Sequence, residues 1–293
     1  MNGKAFSPGH ITGFFEICDG PSDPLRKGSR GAGINLSLGV LTTVEATDAS
    51  GQTVDIRLNG EKARADTTRM AVRELIGRRK LRVKVRSDVQ LPVGQGLGMS
   101  AAGALSTALA LTTALKLQHS LHRAGEAAHT AEVLSRTGLG DVSGQVRGGW
   151  EIRVRPGFPP YGFVDRMLVS KKKLAICVSG EPVATKRVLG DPAMRRVINR
   201  TGRECMVEML RRPTLDNFFS LSYRFARRTG LASKDSLVLV EEILSNNLGL
   251  ASVSMIGNSV FAVGDIAGIR SLMKGRGRVY VCESDQCGAT LVV

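Results

Sequence analysis

Leu91–Ala102 reads LPVGQGLGMSAA, and it lies between a strand pattern at Leu81–Val89 and an Ala- and Leu-rich helical stretch, Ser100–Leu117. Three glycines, Gly94, Gly96 and Gly98, let a backbone turn where a Cβ would clash, and they let a ligand approach the main chain closely. A helix starting near Met99 points its unpaired N–H groups and the positive end of its dipole into that turn, which suits a phosphate group. Two common glycine fingerprints fail here. A Walker A loop ends in Gly-Lys-Ser/Thr, whereas Gly98 is followed by Met99 and Ser100. A G-x-G-x-x-G dinucleotide loop counted from Gly94 needs glycine at 99, which is Met. From these residues alone a phosphate cradle and a bare strand-to-helix turn both remain open.

Outward from this loop the chain alternates strand and helix patterns. Ala32–Leu38, Val40–Thr47 and Val54–Leu58 read as strands, and Asp66–Ile76 (DTTRMAVRELI) spaces its apolar residues like a helix. Leu121–Arg136 is a further helix pattern, stopped by Gly138. Arg155–Gly162 (RPGFPPYG) carries three prolines and reads as a linker. Beyond it come strands at Met167–Val169 and Leu174–Ser179, then helical patterns near 192–211, 215–229 and 234–247. A β-α-β ending follows: Ser252–Met255, Val260–Val263, helix Ile266–Met273, Val279–Cys282 and Ala289–Val293. Two α+β domains, residues 1–160 and 161–293, are the expected organisation.

Composition narrows the partners. The 293 residues hold 41 Lys+Arg against 26 Asp+Glu, a formal +15, which first suggests a polyanion. The excess is spread over both halves, and one Trp and three Tyr offer little for stacking bases. Solvated charge is the simpler reading, and no nucleic-acid partner is expected. An RNA-binding module remains the rival from another class, one that predicts steeply salt-dependent binding. Five Cys with no C-x-x-C disfavour a disulfide framework or zinc ribbon. His119, His122 and His129 have no Cys nearby to complete a zinc site. The beginning, MNGKAFSPGH, has no apolar signal core, and the window Ala101–Leu115 is shorter than a membrane span. A cytoplasmic protein without a membrane partner is expected.

Four segments carry a family resemblance. Pro92–Ala102 (PVGQGLGMSAA) resembles the second motif of the GHMP kinase superfamily, P-x-x-x-G-L-G-S-S-A-A, with Met99 in place of the first Ser. Ser7–Glu16 (SPGHITGFFE) resembles the first motif, with His10 where relatives carry Lys or Arg. Ala128–Glu132 (AHTAE) and Gly140–Gly149 (GDVSGQVRGG) resemble the segment that holds a magnesium carboxylate and the catalytic Asp. Ser252–Gly264 (SVSMIGNSVFAVG) keeps Gly257 of the third motif without the usual glycine run. Within the superfamily the chain is most similar to the archaeal-type pantoate kinases. Phe6–Glu16, Asp23–Asn35 (DPLRKGSRGAGIN), Gly138–Trp150 (GLGDVSGQVRGGW) and the third-motif segment carry that likeness, and His10 is characteristic of the subgroup.

The resemblance implies a two-domain α+β fold. Its N-terminal domain is like the second domain of ribosomal protein S5, its C-terminal domain is ferredoxin-like, and the active site lies between them. It implies an ATP- and Mg²⁺-dependent kinase, with pantoate as substrate and a homodimer as a possible assembly. Another hydroxylated substrate, homoserine or mevalonate, is the alternative. Pro92, Gly94, Gly96, Leu97, Gly98, Met99, Ser100 and Ala101 are implied to wrap ATP, and Ser100 and Glu132 to hold Mg²⁺. Asp141 is implied as the base, with His10 beside the attacking hydroxyl. Thr12, Glu16, Arg26, Arg30 and Gly257 are the remaining candidates for substrate contact, Arg30 being favoured for the substrate carboxylate. By residue type alone, Ser100 could equally be a helix cap, Glu132 a solvated carboxylate and Asp141 a turn residue.

Overall fold

The computed structural model describes residues 2–181 and 190–292. The first of its two sheets runs β12-β1-β2-β5-β3-β4, with β6 on β2 and β7 on β6. Its strands are β1 Asn2–Cys18, β2 Gly28–Asp48, β3 Thr53–Leu58, β4 Glu61–Lys62, β5 Leu81–Val89, β6 Trp150–Arg155, β7 Phe163–Met167 and β12 Thr290–Leu291. β5 shows why the sheet has one wet face: Leu81, Val83, Val85 and Ser87 are buried, while Arg82, Lys84, Arg86 and Asp88 are exposed. Against the dry face packs α2 Met99–Ala114, and α1 Asp66–Ile76 and α3 Leu121–Ser135 pack on α2 and on each other; α4 Asp141–Arg147 follows α3. α2 is buried along its whole length except at Ser100 and Thr113. Only a run of Ala, Gly, Ser, Thr and Leu fits a helix enclosed on all sides.

The second sheet runs β11-β8-β10-β9, all antiparallel, from β8 Lys173–Val178, β9 Gly249–Val253, β10 Ser259–Gly264 and β11 Arg278–Glu283. Helices α5 Pro192–Arg211, α6 Leu215–Thr229 and α7 Lys234–Ser245 separate β8 from β9, and α8 Ile266–Met273 separates β10 from β11. This order is the ferredoxin-like arrangement, with three helices among the described residues where that fold has its first one. Asp191, Thr214 and Ser233 cap α5, α6 and α7 by accepting from the first-turn N–H groups, which explains where each begins.

Five of the aromatics form one cluster. Phe14, Trp150, Phe218, Phe219 and Phe261 form a chain of tilted and edge-on contacts with centroids 5.2–6.4 Å apart. Each such pair adds about 0.5–1.5 kcal/mol beyond its area, so the cluster binds β1 and β6 to α6 and β10. Two expectations need correction. Asn2–Cys18 is a 17-residue strand that periodicity did not reveal. Residues 156–162 of that segment form the turn between paired strands β6 and β7 of the first sheet, with Arg155 closing β6, so the chain leaves that sheet only after Met167.

Candidate active site

The glycine loop leads straight into α2. Gly98 is its N-cap at φ 65°, a left-handed conformation that glycine adopts without strain, and no side chain caps the helix. A Cβ there would meet the His10 Cβ at 2.9 Å. The N–H groups of the first turn are therefore free of side-chain partners, and Gly94, Gly96, Gly98, Met99, Ser100 and Ala101 line a cavity of about 410 Å³. Its opposite wall comes from Ser135–Asp141, with Thr12, Phe15, Ser29, Met255 and Ile256 closing the rest. The Ser100 hydroxyl donates to Thr67 Oγ1 at 3.2 Å.

The loop is fixed from behind by the turn at 254–259. Ser254 Oγ donates to the Gly96 carbonyl at 2.5 Å, and Ser259 Oγ donates to the Gln95 carbonyl at 2.7 Å. Gly257 belongs to this backing and is absent from the cavity lining: a Cβ on it would stand 2.2 Å from the Gln95 backbone. Gly257→Ala therefore pushes the loop away from its bound position. Its kcat/KM for ATP is expected to fall by about 10–100-fold, since misplacement of ~1 Å costs on that order. Steady-state kinetics with varied ATP check this.

The carboxylates behind the wall are unusual. Asp141 opens α4 with its side chain one-quarter exposed, and its Oδ1 accepts from His10 Nδ1 at 2.8 Å. His10 is wholly buried; its other nitrogen lies 3.0 Å from Glu151 Oε1, and Arg153 binds the same Glu151 oxygen. Burial opposes a charge on His10, but the hydrogen bonds and charges of Asp141 and Glu151 outweigh it and hold the imidazole above its ordinary pKa. Glu132 on α3 is also buried, and neither of its oxygens has a hydrogen-bond partner among the described residues. Burial first, and the Asp141 charge second, push its pKa well up; the nearby N–H groups of Val142 and Asp141 offset only part of this. His129 stacks on Phe158 and donates toward the Lys27 carbonyl, and burial depresses it to about 4.

The expected substrate cations lie elsewhere. Arg26 is more than half exposed and stacks over Tyr161 at 4.4 Å. Arg30 donates to Glu16 Oε2 at 3.2 Å and to the Val154 carbonyl, and Arg203 of α5 holds the other Glu16 oxygen at 2.9 Å. None of Arg26, Arg30 and Glu16 lines the cavity, and neither do Pro92, Leu97, His10 and Glu132. His10 thus stands behind Asp141, out of the cavity lining. The cation that lines the cavity is Arg136; Arg153, 2% exposed, stands behind the wall, donating to Ser29 Oγ at 3.2 Å and lying 3.5 Å from Thr12 Oγ1. Sequence reasoning missed Glu151 and Arg153: in Trp150–Arg155 (WEIRVR) charged residues alternate with apolar ones as on a solvent-facing strand side, yet both are buried.

A phosphate-ready helix terminus facing a hydrogen-bonded Asp, on an S5-like domain joined to a ferredoxin-like one, defines a small-molecule kinase of the GHMP type. The GHMP kinases N terminal domain model matches residues 65–149. Pantoate kinases from Methanocaldococcus jannaschii and Thermococcus kodakarensis are 38% and 35% identical, covering 88% and 89% of this chain and 91% and 87% of their own. The chain belongs to the pantoate kinase family of the GHMP superfamily, a family of ATP-dependent enzymes. A solved structure described as a phosphotransferase related to the CoA biosynthesis pathway superposes with TM-score 0.88 at 29% identity, covering 100% of this chain and 99% of its own. Homoserine kinase from Cytophaga hutchinsonii, at 17% identity and TM-score 0.70 over 99% of this chain and 97% of its own, shares the fold. No helix among the described residues is long and apolar enough to cross a membrane.

Proposed function

We propose that this enzyme transfers the γ-phosphoryl group of ATP to the primary hydroxyl of pantoate, giving 4-phosphopantoate and ADP for coenzyme A synthesis. The observation that carries this reading is the single cavity lined both by the start of α2 and by Asp141. The free N–H groups of Gly98–Ala101 receive the polyphosphate, where the helix dipole favours negative charge. Ser29 and Thr12 form the wall for the substrate carboxylate. Arg153 occupies the acceptor side of the Ser29 hydroxyl and supplies positive charge from behind, which leaves that O–H to donate into the cavity.

Asp141 Oδ1 is engaged by His10, so Oδ2 is the oxygen available to the attacking hydroxyl. It takes the hydroxyl proton as the O–P bond forms and the bond to ADP breaks. Ser100 and Glu132 fit a magnesium ion: one hydroxyl and one carboxylate suit an ion that keeps several waters, and Glu132 is buried with no hydrogen-bond partner for either oxygen among the described residues. Bound there, Mg²⁺ would neutralise charge on the transferring phosphates.

The substrate assignment is tested by ADP release across pantoate, homoserine, mevalonate and glycerate. Turnover with pantoate should exceed the others by at least ~10³-fold in kcat/KM, since a site built for a particular polar pattern rejects analogues that leave its groups unpaired. Turnover with homoserine or mevalonate and none with pantoate would refute it.

A further inference from the structure

Glu151 has no part in the scheme above, yet it is among the most enclosed groups in the molecule. It is 0% exposed, and its Oε1 is shared between His10 Nε2 and the Arg153 guanidinium. Room for this contact is built from two other elements. A Cβ on Gly33 of β2 would stand 2.5 Å from His10 Nε2 and 2.6 Å from Glu151 Oε1, and one on Gly144 of α4 would stand 2.7 Å from His10 Nε2. Asn35 ties those elements together, donating to the Gly144 and Gly149 carbonyls at 3.0 and 3.1 Å.

The hydrogen-bond inventory then constrains the ring. An ionised carboxylate only accepts, and His10 faces one at each nitrogen, Asp141 at 2.8 Å and Glu151 at 3.0 Å. Both carboxylate contacts are satisfied when both ring nitrogens carry a proton; the longer Arg153 approach to Nε2 at 3.4 Å is then left as a repulsive neighbour and not a hydrogen bond. The charged groups around His10 are Asp141 from α4 and Glu151 and Arg153 from β6; the glycine loop and β2 place none against it. Two negative and two positive charges balance only when the imidazole is cationic. Without Glu151, His10 would keep one acceptor, and Arg153, 3.4 Å from Nε2, would oppose the second proton.

We propose that Glu151 is a positioning residue that holds His10 as a doubly protonated imidazolium, and through it fixes Asp141 with Oδ1 occupied and Oδ2 presented to the substrate hydroxyl. This rests on the phosphotransfer reading above, but its first test does not depend on substrate. The chain has four histidines, so ¹⁵N-histidine labelling gives a tractable spectrum, and the His10 signals are those lost in His10→Asn. In the native enzyme both His10 nitrogens should carry protons at neutral pH, with a titration midpoint above the free-histidine value of ~6.5.

In Glu151→Gln the midpoint should fall by roughly one unit or more. The alkaline limb of the kcat profile should move to lower pH with it, while KM for ATP stays within about twofold. A purely structural glutamate would leave the limb in place. An equal midpoint in Glu151→Gln, or a native His10 with one protonated nitrogen at neutral pH, overturns the proposal. The second measurement needs no Glu151 variant, so it decides even if Glu151→Gln fails to fold. Absence of turnover with pantoate would instead count against the substrate reading and leave the His10 result standing.

Discussion

Asp141→Asn is expected to lower kcat by roughly 10²–10⁴-fold, the usual contribution of a positioned general base. The amide keeps the size and one acceptor oxygen, so the His10 Nδ1 contact at 2.8 Å can persist and α4 is retained. What disappears is the basic oxygen facing the cavity. Nucleotide affinity should change by less than about threefold, because the N–H groups of Gly98–Ala101 lie on the opposite wall. Titration calorimetry with a non-hydrolysable ATP analogue separates the two effects. Near-native turnover would remove Asp141 from the role of base.

Glu132→Gln carries the second large effect, and it has two signs. Loss of the carboxylate proposed for Mg²⁺ should reduce kcat by about 10²-fold or more and raise the Mg²⁺ concentration needed for half-maximal rate. Stability should move the other way. Burial and the neighbouring Asp141 raise the Glu132 pKa in the folded state. Below the unfolded value of ~4.3 both states hold the proton and folding is unopposed by this group; as pH rises toward the folded pKa that stability is lost. A neutral amide should therefore raise Tm by several degrees near pH 7–8, with the gain vanishing below about pH 4. Calorimetric melts at the two pH values test this. Equal Tm at neutral pH would mean that Glu132 is already paired in solution.

The parts of the fold that were legible from sequence share one property: a single periodicity sustained over one element. Asp66–Ile76 and Ile266–Met273 begin and end where their helix patterns do. Asn2–Cys18 was hidden because Pro8, Gly9 and Gly13 interrupt any alternation, and the strand tolerates them through irregular register between Pro8 and Gly9 and between Thr12 and Phe14. The three prolines of 155–162 truthfully signalled a break in structure, but a hairpin and an interdomain passage need the same residues. In the site, family spacing brought Ser100, Asp141 and the glycine loop to one cavity. It could not show that Arg30 is held by Glu16 or that Arg153, in a strand, supplies the buried charge. Those depend on which strand lies beside which, and only the pairing of β2 with β6 places Arg153 across from Gly31, one residue from Arg30.

The short strand β12 has a consequence for how the molecule assembles. Thr290 and Leu291 pair with Phe6 and Ala5, so the first sheet receives its edge strand from beyond the whole second sheet. Contacts of such sequence separation slow folding, because the intervening chain must be closed before they form. A fragment ending at residue 160 would lack β7 and β12 and leave β1 with unpaired backbone groups around Ala5–Phe6, an edge prone to pairing with another chain. The nucleotide-binding half is thus a part of one cooperative unit, and aggregation is the expected fate of that half expressed alone.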